Sequence, residues 1–229
     1  MLVVEGQSFV LAKGQAWSRE GDAWRAANWQ PSGTIVTAFG DGRSAFALLA
    51  AESADAVQGV LQFSLVEGQL SARALPALPI ALRDVHASVN GSNVYVHGLE
   101  AGAKPQLYAL ALKDAVLAWR ALPGCDAAGV VEHLVAHEDA VYAVVAPADG
   151  SGERLYRLPP GKTWGEVSHL PGKLVAGAAR AVGQGHILFV LDDHGARSAA
   201  TFYTLTREWA NHGSITLAGE QQGGGPPDP

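Results

Sequence analysis

"LPALPIALRDVHASVNGSNVYVHG", residues 75–98, decides the fold. A Leu-Pro pair opens it. Two alternating apolar runs, "VHASV" and "NVYVHG", then meet at Asn90-Gly91. Alternation of period two marks half-buried strands, and Asn-Gly between them marks a tight hairpin, because both residues tolerate positive φ. The landmarks return along the chain. Leu75-Pro76, Leu122-Pro123 and Leu170-Pro171 are spaced by 47 and then 48 residues. Tyr95, Tyr142 and Phe189 stand 47 apart, and Trp119, Trp164 and Trp209 stand 45 apart. An aromatic-x-Leu triplet recurs at Phe63, Tyr108, Tyr156 and Tyr203. A period in the forties with a late Trp is the signature of a β-propeller, in which each repeat is one four-stranded blade.

Five units follow from this reading. The third is "VHASV", "NVYVHG", "QLYALAL" and "AWRAL"; the fourth is "HLVAH", "AVYAVV", "RLYRL" and "WGEVSHL". The fifth is "ARAVG", "HILFVL", "TFYTL" and "EWANHG", and the second is "TIVTAF", "AFALLAA", "LQFSLVEG" and "LSARAL". The first unit is compressed, turning at Gly6, Gly14 and Gly21. The expectation is an all-β, kelch-type propeller over 1–216 with five recognisable four-stranded blades and room for a partial sixth. Residues 217–229, rich in Gly and Pro, read as a flexible tail. The one helical-looking stretch, "AESADAV", reads as a loop. The recurrent Tyr and Trp residues are expected between blades, where they bury area and fix the blade-to-blade angle.

Composition narrows the function. Apolar residues make up 48% of 229, charged residues 17%, and the net charge is -6. Lys and Arg are scattered singly. No basic patch exists to neutralise phosphates, so nucleic acid is not an expected partner, and a polybasic membrane surface is absent too. The longest uncharged apolar run, "AFALLAA", is too short to span a bilayer, so no membrane insertion is expected. The start "MLVVEGQSFVLAKG" lacks a basic n-region and does not read as a signal peptide. A single cysteine, Cys125, excludes an internal disulfide and any Cys-based zinc site; beside Gly124 it reads as a loop thiol.

Residues 60–98, "VLQFSLVEGQLSARALPALPIALRDVHASVNGSNVYVHG", resemble a segment of the bacterial kelch proteins of the sialic acid epimerase group, the cyclically permuted mutarotases. "LPGKLVAGAARAVGQGHILFVLDDHG" with "FYTLTREWANHGSI" resembles their penultimate blade, and "ITLAGEQQGGGP" their closing segment. The resemblance implies a six-bladed, periplasmic or otherwise extracytoplasmic propeller with carbohydrate chemistry on sialic acids. The family's Gly-Gly doublet after the second strand is missing here, where the chain reads "VHGLE", "VVAPA", "VLDDH" and "LLAAE". Similar propellers are also fused to sodium–solute symporters.

In a propeller the first strand of each blade lines the channel, and loops at one face carry the site. Nine residues before the second-strand aromatic stand Thr37, His86, His133 and Arg180, with Arg83 and Glu132 adjacent. An Arg at Arg180 or Arg83 would fork onto a sugar carboxylate. Thr37 and Glu132 would join them in holding the substrate, and His86 or His133 would move a proton between ring oxygen and anomeric hydroxyl. Such mutarotation needs no cofactor, and no third metal ligand is identifiable. Asp192, Asp193, His194 and Arg197 read as a polar turn, and His186 as a structural hydrogen-bonding residue. Two functions remain open at this stage: a small-molecule sugar-binding or mutarotase-like propeller, and a non-catalytic module that binds a protein partner.

Overall fold

The computed structural model describes residues 2–12, 15–51, 55–182, 186–192, 199–205 and 209–216; within 175–216 the description is of backbone, Ile187 apart. Among these residues twenty strands form five four-stranded antiparallel sheets, with strands in chain order and no helix. The first blade is β1 (Leu2–Val4), β2 (Gln7–Ala12), β3 (Gln15–Glu20) and β4 (Ala23–Ala26). The second is β5 (Ile35–Gly40), β6 (Ala45–Ala50), β7 (Val57–Val66) and β8 (Gln69–Ala74). The third is β9 (Arg83–Val89), β10 (Asn93–Leu99), β11 (Pro105–Ala111) and β12 (Trp119–Leu122). The fourth is β13 (Gly129–His137), β14 (Ala140–Pro147), β15 (Arg154–Leu158) and β16 (Gly165–His169). The fifth is β17 (Leu174–Val182), β18 (His186–Asp192), β19 (Ala199–Leu205) and β20 (Trp209–Thr216). This is the expected all-β propeller architecture. The tail at 217–229, where a partial sixth blade was sought, lies outside the described residues, as do Asp193, His194 and Arg197.

Alternation explains the packing. Odd and even residues of a strand face opposite neighbours. Val94 and Val96 of β10 join Phe46, Leu48 and Val60 of the second blade in one cluster. Tyr95, between them, joins Leu134, Ala136 and Val141 of the fourth. The second, third and fourth blades are thus apolar on both faces, which the near-continuous hydrophobic runs of β6, β10 and β14 record. Neighbouring blades also touch through their first strands: β1 with β5, β5 with β9, β9 with β13, and β13 with β17.

The Leu-Pro stretches are the linkers between blades. Leu75, Leu78 and Leu82 are buried between the second and third blades. The Trp119 indole N–H donates to the Pro76 carbonyl at 2.7 Å, and Trp164 repeats the bond one blade on, to Pro123 at 2.8 Å. Both tryptophans are only partly buried. Each still packs, as the sequence suggested, against the cluster between its own blade and the preceding one, and its indole is in addition tied to the incoming linker. Trp119 pairs with Leu110 and Trp209 with Leu205, the Leu of each aromatic-x-Leu triplet, which is why these landmarks share a period.

At the far end, the hairpin tips are laced together. The Gly91 N–H donates to Asp41 Oδ2 at 2.9 Å, and Asn90 Nδ2 donates to the Glu138 carbonyl at 2.8 Å. The Asn90 N–H meets the Asn93 carbonyl, and Asn90 Oδ1 accepts from the Asn93 N–H, both at 3.2 Å. The central turn residues are therefore Gly91 and Ser92, one step beyond the Asn90-Gly91 expected. Gly91 takes φ +68°, and Asn90 caps the turn with its side chain.

Candidate functional site

The end of the channel opposite those tips is built from the starts of the first strands and from the loops between second and third strands. A one-residue bulge interrupts each first strand here in the second, third and fourth blades, and the fifth has a longer irregularity. Register shifts between Ile35 and Thr37, between Arg83 and His86, between Val131 and His133, and between Leu174 and Ala179. A bulge puts an extra residue on one strand, bends it and re-aims its side chains. In β9 the extra residue falls at Asp84-Val85, with Asp84 at φ +47°. Gly98 faces it: a Cβ there would lie 2.8 Å from the Arg83 carbonyl oxygen and 3.0 Å from Val85 Cγ1. Lack of a side chain at Gly98 therefore admits the bulge.

Thr37, His86 and His133 immediately follow their bulges and hold equivalent register. Each lies two residues before the cross-strand partner of the landmark aromatic: Phe39 opposite Phe46, Ser88 opposite Tyr95, and Val135 opposite Tyr142. Arg180 departs from this set. Phe189 pairs with Ala179, so Arg180 falls one residue beyond that partner instead of two before it. Its side chain lies outside the described residues.

His86 and His133 come within electrostatic reach of one another. Burial lowers the His86 pKa first and His133 lowers it further, while the Val131 carbonyl, Asp84 and Glu132 pull the other way. Opposite His86 in the ladder stands His97, on the same face of the sheet. His97 is 2% exposed, and neither of its nitrogens has a hydrogen-bond partner in the protein. Burial, with His86 second, lowers its pKa to about 4. At neutral pH this pair is uncharged and offers imidazole lone pairs.

The acid side of the site is Glu132, in the β13 bulge, and Glu153, in the loop entering β15. Glu132 is exposed; Glu153 is 6% exposed. The Leu174 N–H donates to Glu153 Oε2 at 2.7 Å, stitching this loop to the start of the fifth blade. Oε1 finds no N–H donor, and the group beside it is the Glu132 carboxylate. Burial raises the Glu153 pKa, the Leu174 N–H opposes it, Glu132 raises it further and Lys173 slightly lowers it.

Arg83, expected to grip a sugar carboxylate, is instead held by Asp55 at 2.9 Å. The contact parallels the Glu153–Leu174 one: an acid in a loop after the second strand clasps the start of the next blade. Among the described residues no group of three His, Cys, Asp or Glu is arranged to hold a metal ion, and no helix is long and apolar enough to cross a membrane. A separate groove of about 440 Å³ opens between the third and fourth blades at the tip end, lined by Tyr95, Arg120, Asp139 and Lys162 among others. None of the expected site residues lines it.

Two residues of the cluster escaped the sequence reading. His97 was legible in principle: two residues after the landmark aromatic the other blades carry Leu48, Val144 and Leu191, and only the third carries a histidine. Glu153 had no such signal, because its burial comes from the loop "GSGER" folding onto the next blade.

No family model matches the sequence, and no curated protein matches it. Solved structures do. YjhT superposes with a TM-score of 0.63 at 11% identity, over 90% of this chain and 80% of that one. The SapL1 lectin, solved in complex with alpha methyl fucoside, gives 0.58 at 14% identity over 93% and 76%. AofleA from Arthrobotrys oligospora gives 0.53 at 15% identity over 78% and 55%. At such identities the likeness is one of fold.

Proposed function

We propose that this chain is a carbohydrate-binding propeller whose ligand sits at the channel mouth between the third and fourth blades. One observation carries the reading: His86, His97, His133, Glu132 and Glu153, from two first strands, a second strand and a loop, gather around one pair of bulges. Sugar hydroxyls need both donors and acceptors, and neutral imidazoles beside carboxyl groups supply both. The sugar-bound state of the SapL1 lectin is in keeping with this reading.

The same groups suit anomer exchange. His86, neutral and partly buried, is the base for the anomeric hydroxyl, and a protonated carboxyl is the acid for the ring oxygen. Two-dimensional exchange NMR on a hexose mixed with protein tests this. Acceleration over buffer that falls about 10²–10⁴-fold in His86→Ala supports catalysis. Binding without acceleration leaves a lectin-like module. No binding of any sugar, charged or neutral, defeats the proposal.

A further inference from the structure

The charges at this mouth differ from what a carboxylate sugar requires. Arg83 is paired with Asp55 at 2.9 Å. The His86–His97 pair is uncharged at neutral pH. Glu132 and Asp84 are exposed carboxylates acting on His86, and Glu153 stands behind Glu132. Lys173 is the one described cation acting on Glu153, and its influence is the least of those there. A bound carboxylate would face Glu132 and Asp84, with exposed Lys173, beside Glu153, as the cation there outside an ion pair.

The buried polar groups say what would fit instead. Glu153 Oε1 lacks an N–H donor, and both His97 nitrogens lack partners. An ammonium carries three donors and no acceptor, and it relieves two facing carboxyls at once. The geometry points to a basic sugar as the ligand: an aldosamine whose ammonium docks between Glu132 and Glu153 while its hydroxyls meet His86 and His133. This assignment rests on the carbohydrate reading above and names its ligand class. No covalent bond forms or breaks. As the ammonium docks, the proton held by the carboxyl pair passes to solvent.

The test is calorimetric titration of the intact chain, near about pH 6.5 so that the amine stays protonated, with glucosamine, galactosamine and mannosamine, their parent hexoses, and N-acetylneuraminic acid. At least one amine should bind about tenfold or more tighter than its parent hexose at low salt, with the advantage shrinking as salt rises. Repetition in buffers of different ionisation enthalpy should reveal proton release on binding. Glu153→Gln keeps an acceptor for the Leu174 N–H, and Glu132→Gln alters an exposed position, so neither depends on a risky fold. Each should erase most of the amine's advantage over its parent hexose, the ratio of the two affinities being the readout. A hexose or N-acetylneuraminic acid that binds as tightly as the amine overturns the basic-sugar assignment and leaves the carbohydrate reading standing. So does an advantage that survives both variants. Failure of every sugar overturns both.

Discussion

Replacing His97 with leucine should stabilise the protein, and most of all in acid. The imidazole is 2% exposed with both nitrogens unpaired. Its folded pKa of about 4 lies below the ordinary 6.5. The sign follows. Above pH 6.5 the ring is neutral whether folded or unfolded, and stability is whole. As pH falls from 6.5 toward about 4 the unfolded chain takes a proton that the folded one refuses, so stability drops through that window. At 1.36 kcal/mol per unit, the loss approaches about 3 kcal/mol at the acid end. Leucine has no such linkage. It also fits the register, because Leu48 holds the equivalent place in the second blade at 0% exposure. At neutral pH the gain is smaller, about 1 kcal/mol, as relief of unpaired nitrogens is set against repacking. Urea denaturation at about pH 7.5, 5.5 and 4.5 would measure it, with the variant's advantage growing at each step down. Parallel pH curves for the two proteins would refute the reasoning, since they would mean that His97 titrates normally.

Three further outcomes follow from the packing. Trp119→Phe and Trp164→Phe should each lose about 1 kcal/mol in chemical denaturation, and additively, because each breaks the same indole–linker bond in a different blade; a loss at one position alone would break the equivalence of the two blades. Gly98→Ala should cost about 1–3 kcal/mol, because its Cβ collides with the Arg83 backbone, and should weaken sugar binding by shifting the bulge that aims His86; an unchanged melting temperature would show that the bulge yields freely. For Glu153 the folded pKa is raised, so stability is whole below the usual carboxylate range and lost as pH rises through the raised value; Glu153→Gln should flatten the melting temperature above that range, and a profile parallel to wild type would exclude the buried carboxyl as its cause.

The blades were legible because propeller periodicity is a packing requirement. Every blade needs a linker, an aromatic and an outer-strand anchor at fixed spacing, so Leu75-Pro76, Tyr108 and Trp119 recur where the physics demands. The site was legible only as far as the register held. Counting nine residues back from the aromatic found Thr37, His86 and His133, because Phe46, Tyr95 and Tyr142 all follow their cross-strand partners by seven. It failed at Arg180 because Phe189 follows Ala179 by ten. A longer hairpin shifts every position behind it, and alternation makes an odd shift change the face. Arg83 meets a partner, Asp55, from another blade, which spacing within one repeat does not reveal.

A ring of equivalent positions suggests a ligand on the channel axis, shared by all blades. The described side chains argue for an off-axis site. At the bulge register the second blade carries Val36, an apolar residue 48% exposed, while the third carries Asp84 and the fourth Glu132. Behind the bulge the second and fourth blades bury Leu48 and Val144, while the third buries His97. Chemistry enters where the repeat is broken, and the breaks fall on the two sides of one blade interface. The imidazole there is costly, since neither His97 nitrogen has a partner in the protein. Sites are expected where sequence departs from the local rules of its fold. Here the departure gives up apolar packing at one register of one interface and sets polar groups where the second and fourth blades carry Leu48 and Val144.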